Sequence, residues 1–192
     1  MPLQCARMAS VAGQYCAFIE DLDGRGRGRG AGLPAQWLRR LEKLLPRLHV
    51  AVIALLGPVE DPHHYRLHDD DQRCELFLRL TTILQSDRHL WANYQANYQT
   101  SWQTGGARQA SPQELCERMA DNMTDMYFDL RQGLELVREK PLLAAAEWQR
   151  SFYVHWARHL LDAECWLYAV DAGGEPPQLP AWRWPDRVVS RV

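Results

Sequence analysis

Residues 111–130 read SPQELCERMADNMTDMYFDL, and the fold follows from this stretch. Ser111 is a helix-capping residue, Pro112 suits the first helical position, and Glu114 is placed to reach back to Ser111, so the four residues from Ser111 form a capping box. At about 100° per residue, Leu115, Met119, Met123, Met126, Leu130 and Val137 share one apolar stripe. The spacing predicts a helix from Pro112 to about Lys140. Glu117, Asp121, Asp125 and Asp129 repeat every four residues off that stripe. On the helical wheel Asp121 lies nearly opposite the core and only Asp129 reaches its flank, so a solvated acidic face is expected. Like charges at i, i+4 repel, and a cation, a neighbouring arginine or a basic partner would relieve them.

The next helix is predicted from Leu142 to about Val170, ended by Gly173-Gly174 and Pro176-Pro177. Phe152, Trp156, Leu160, Ala163 and Leu167 form its core stripe. Trp148, His155, His159 and Trp166 form a second stripe beside it, with Asp162 next to them. Two histidines one turn apart with a nearby aspartate can share a metal ion. Hydrogen-bonded histidines packed between indoles at a helix–helix seam are the plainer reading, and the preferred one. Because a short turn near Pro141 makes these two helices neighbours, a histidine–carboxylate contact is expected between them, from His155 or His159 to Asp129.

Upstream, residues 3–22 suit a first helix, and Asp23–Gly32 (DGRGRGRGAG) reads as a mobile loop, with residues 24–32 open to trypsin. A second helix runs from about Pro34 to Leu56 through Trp37, Leu41, Leu44, Leu48, Val52 and Leu55, with Pro46 expected to kink or restart it. A third covers about Gln72–Gln85 and a fourth, aromatic one about His89–Gln103. Strand signals are nearly absent. The expectation is an all-α bundle of five or six helices: one domain over 1–171, then a proline- and tryptophan-bearing tail over 172–192.

Composition narrows the function classes. The 192 residues are 46% hydrophobic and 24% charged, which excludes a disordered chain, a fibrous repeat and a disulfide miniprotein. A net charge of −2 supplies no basic field for nucleic acid. The five scattered cysteines suggest free thiols in a cytoplasm, and neither a signal peptide nor a membrane span is visible. The chain carries no P-loop, Rossmann glycine fingerprint, HExxH or paired CxxC.

Two segments, DNMTDMYFDL (Asp121–Leu130) and EWQRSFYVHWARHLLDA (Glu147–Ala163), resemble a bacterial all-helical family known only as domain of unknown function 5063. That family shows a DDLADIYRDL-like helix followed by a W-x-x-SF-x-x-HWGRHA-like helix. Asp121, Asp125, Tyr127, Asp129 and Leu130 match the first pattern. Trp148, Ser151, Phe152, His155, Trp156, Arg158 and His159 match the second. Asn122, Phe128 and Ala157 depart from them. The resemblance covers about Ser111–Val170, implies an all-helical fold and points to these residues as the candidate seam. It implies no activity.

Other constellations are weaker. His63, His64 and His68 with Asp61, Asp69, Asp70 and Asp71 make a metal-like composition in a polar connection. Trp91, Tyr94, Tyr98 and Trp102 form a stripe better read as a buried face than as a base-stacking platform. Arg25, Arg27 and Arg29 make a weak anion site, and LPAWRWP (Leu179–Pro185) can dock on the bundle or on a partner. The favoured reading is a non-enzymatic interaction or structural module with no cofactor, whose partner and oligomeric state are not legible. The alternative is a metal-dependent, hydrolase-like enzyme with His155, His159 and Asp162 or Asp129 as ligands. A nucleic-acid-associated protein comes third.

Overall fold

A computed structural model describes residues 2–27, 36–55, 70–87 and 111–172; every structural statement below concerns these. The fold is all-α. The elements are α1 (Leu3–Arg27), α2 (Trp37–Ile53), α3 (Asp70–Gln85), α4 (Pro112–Val137), α5 (Pro141–Ser151), a π-helical turn (Phe152–Trp156) and α6 (Ala157–Ala172). The histidine cluster, the aromatic stripe and the tail noted in the sequence lie outside the described residues, apart from Asp70 and Asp71, which open α3.

The α4 helix is central. Its capping box is formed, with Ser111 Oγ accepting from the Glu114 amide (3.1 Å) and Glu114 Oε2 from the Ser111 amide (2.5 Å). It packs against α1, α3, α5, the π turn and α6. A helix with neighbours on several sides keeps only part of its polar surface in water. The expected acidic face is therefore corrected: Asp121 stays partly exposed, but Asp125 and Asp129 are buried. The wheel failed because it assumed one core face.

The α1 stripe from Cys5 and Met8 through Tyr15, Ile19 and Leu22 is buried. The helix continues to Arg27, so Gly24–Arg27 is not the start of a loop; residues 28–32 lie outside the described set. Tertiary contacts override the low helix propensity of glycine here. Leu22 is fully buried, and Asp23 Oδ1 accepts from Arg79 Nε of α3 at 2.5 Å. Similarly, α2 passes through Pro46 as one helix. Pro46 is exposed, so the carbonyl it leaves unbonded sits on the watery side, where solvent can take the bond.

The expected single helix from Leu142 is also corrected. It is interrupted by the π turn, whose wider pitch breaks the constant angle assumed from Trp148 to His155. Trp156 Nε1 donates to Ser151 Oγ (3.0 Å) across that turn.

All five cysteines are free thiols. Burial pushes the Cys16 and Cys116 thiols up to about 12, Glu20 adding to the effect at Cys16 and Glu117 at Cys116. Because thiolate is the reactive form, these two should resist a thiol reagent in the native protein at pH 8, while exposed Cys74 reacts first. Five thiols should titrate after denaturation without reductant. Fast native labelling of Cys16 would contradict this packing.

Candidate metal centre between α4 and α6

Asp125 is the hub of the seam. Arg73, at the start of α3, grips both its oxygens: Nε donates to Oδ1, and Nη2 donates to Oδ2 at 2.9 Å. The same Nη2 reaches Asp121 Oδ1 at 2.6 Å. On the other side, His159 Nε2 lies 3.0 Å and His155 Nε2 3.9 Å from Asp125 Oδ2. Burial pushes the Asp125 carboxyl up, but Arg73 and the two histidines outweigh it and the net shift is downward. It stands ionised.

Both imidazoles are oriented through their Nδ1 atoms. His155 Nδ1 donates to Asp129 Oδ2 at 2.7 Å, so the expected histidine–carboxylate contact between these helices is present. The acceptor is a fully buried carboxylate. His159 Nδ1 faces Asn122 Oδ1 at 2.9 Å. The Asn122 orientation is set by Asp162, whose Oδ2 accepts from Asn122 Nδ2 at 2.7 Å; a carboxylate only accepts, so Oδ1 is left for the histidine. His159 Nδ1 therefore carries the proton. Burial lowers the His159 pKa to about 4, with His155 and Arg158 adding to the effect and Asp125 and Asp121 opposing it. A neutral His159 presents the Nε2 lone pair towards Asp125. Arg158 Nε donates to that lone pair at 3.2 Å.

Three ligand atoms thus converge, one each from Asp125, His155 and His159, all within 4.8 Å of one another. Metal–ligand bonds of about 2.0–2.2 Å bring adjacent donors about 3–3.5 Å apart, which small side-chain movements reach here. The alternative ligand set read from the sequence, His155 and His159 with Asp162 or Asp129, needs two corrections. Asp162 accepts from Arg118 Nε (2.6 Å) and from Asn122 instead, and Asp129 sits behind His155 rather than beside the shared point. Arg73 and Asn122 are the residues that sequence reading missed as partners. Nothing in the local pattern around Arg73 marks it; the repelling aspartates on α4 were the one signal that a cation had to arrive from elsewhere.

The remaining seam residues have structural jobs. Trp148 is fully buried and its Nε1 donates to the Leu130 carbonyl at 3.0 Å. Ser151 and Trp156 bridge the π turn. Tyr127 donates its hydroxyl to Glu20 Oε1 and accepts from Arg131 (3.0 and 3.1 Å). A separate apolar groove between α2 and α6, lined by Pro46, Val50, Ile53 and Leu167 among others, contains none of the seam residues.

An all-α bundle with a largely buried Asp–His–His cluster, His155 half-buried, oriented from behind by a carboxylate and an amide is the class of protein defined here. Residues 2–173 match the family model described as Domain of unknown function (DUF5063), and the chain belongs to that family. The match extends the likeness well upstream of residue 111, through the helices that deliver Arg73 and pack on α4. No curated protein and no solved structure matches the chain.

Proposed function

We propose that this protein binds a divalent metal ion through Asp125, His155 and His159. The observation that carries the reading is that both imidazoles have Nδ1 committed to an oxygen while Nε2 faces one buried carboxylate oxygen. A carboxylate behind a ligating histidine fixes its tautomer and raises its basicity, which is the part Asp129 plays for His155. With His159 neutral, its lone pair and an ionised Asp125 oxygen stand 3.0 Å apart. Two acceptors at that distance call for a cation between them. A proton on Nε2 or the Arg158 guanidinium answers part of that call; a metal ion answers it for His155 as well, whose Nε2 faces the same oxygen. A π turn beside the cluster fits the same reading, since such turns recur at functional sites.

Two imidazoles and one carboxylate suit zinc, iron(II) or manganese(II), and three protein ligands leave positions for water or a substrate. A centre of that kind activates water, so metal-assisted hydrolysis is the reaction class it supports. This moves the ligand reading ahead of the interaction module favoured by sequence alone. Free thiols fit a reducing, cytoplasmic setting, and no described helix is long and apolar enough to cross a membrane.

Titrating chelator-stripped protein with Co2+ tests the reading. The expected result is visible d–d absorption saturating near one ion per chain, lost in His159→Gln and in Asp125→Asn. Fully folded protein that binds neither Co2+ nor Zn2+ would overturn it, and the seam would then be a hydrogen-bonded helix contact. His159→Ala should also cost about 1–3 kcal/mol of stability without metal, because Asn122 loses its partner.

A further inference from the structure

We infer that the side of the centre next to exposed Arg158 binds an oxyanion, a phosphate or carboxylate group, with Arg158 as the anion-binding residue. The inference rests on the proposed ion. Arg158 is exposed, and its described partner is not a carboxylate but the His159 Nε2 lone pair. Among the described residues no carboxylate lies within ion-pair range of it. An exposed guanidinium resting on an imidazole nitrogen is an unusual choice, because solvent or a carboxylate satisfies it better.

The competition for one atom gives this placement a consequence. An ion at the shared point takes the His159 Nε2 lone pair, so Arg158 must leave it. Exposed, and next in sequence to a ligand it already touches, Arg158 would then stand beside the ion with its donors free. Its forked donors match two oxygens of a phosphate or carboxylate group.

Charge balance points the same way. Among the described residues, four carboxylates of the seam, Asp121, Asp125, Asp129 and Asp162, stand against three guanidiniums, Arg73, Arg118 and Arg158. Ligating histidines are neutral. A divalent ion therefore turns a small negative excess into a positive one. The other two arginines are already engaged, Arg73 by Asp121 and Asp125 and Arg118 by Asp162. The excess is left at Arg158 and the ion, which together present one anion with a metal bond and a bidentate hydrogen bond.

The test is to load wild type and Arg158→Gln with Co2+ and to titrate each with inorganic phosphate and, separately, with acetate. The readouts are the d–d spectrum and calorimetry. Loaded wild type should bind phosphate, acetate or both, and the tighter of the two identifies the group. Arg158→Gln should keep its Co2+ affinity, or gain some, and bind that anion at least ten-fold more weakly. Chelator-stripped wild type should bind neither. Equal anion affinity in both loaded proteins, or none in loaded wild type, would overturn the inference while leaving the metal centre standing. Absent Co2+ binding in folded wild type would overturn both.

Discussion

Arg73→Met should lower the stability of the protein by about 3–5 kcal/mol, as removal of one member of a buried ion pair does. Arg73 bridges Asp121 and Asp125, and Asp125 is almost wholly out of water. Methionine fills much of the same volume, so the loss reads the orphaned carboxylate more than a cavity. The effect belongs to Asp125 and not to a general loss of packing between α3 and α4. Arg73→Met/Asp125→Asn should therefore recover part of the loss, because no buried charge is then left unpaired. Urea unfolding of the two variants checks this. A loss under about 1 kcal/mol for Arg73→Met would mean that water reaches Asp125 and that the hub is not closed.

Gly133→Ala is the second large effect, and its direction runs against helix propensity. In an exposed helix interior the change would stabilise by about 1 kcal/mol. Here a Cβ on Gly133 would overlap the Trp148 indole. That ring has nowhere to go: it is fully buried, and its Nε1 is bonded to the Leu130 carbonyl on the same helix as Gly133. Overpacking a closed core should leave a net loss of about 2–3 kcal/mol. Gly133→Ala combined with Trp148→Phe should show strong coupling, the smaller ring making room for the methyl group. A Gly133→Ala protein as stable as wild type would show that α4 and α5 can separate there.

Much of the architecture is legible in one dimension. The capping box at Ser111, the three-and-four spacing of Leu115, Met119, Met123 and Met126, and the stripe from Phe152 to Leu167 all fall where a 3.6-residue repeat puts them, and the stripe residues are buried. Helix formation depends on neighbours within a turn or two, so sequence carries it. The candidate site is legible in part for the same reason. His155 and His159 are one turn apart on one helical stretch, and Asp125 and Asp129 are one turn apart on another.

What sequence could not decide is which of those groups face each other, because that depends on how many sides of a helix are covered. A wheel with one core face sends Asp125 to water. A central α4, covered by α1, α3 and α6, buries it. The π turn also breaks the constant pitch on which the wheel depends. Arg73 lies 52 residues from Asp125 and Arg118 lies 44 from Asp162, with no local pattern linking either pair. Local periodicity determined the helices, the capped start of α4 and the two histidines on one face. Only tertiary packing decided that Asp125 is the shared carboxylate, that Asp129 stands behind His155, and that Asp162 belongs to Arg118. The reason is physical: a buried charge must find its counter-charge wherever the fold brings one within reach.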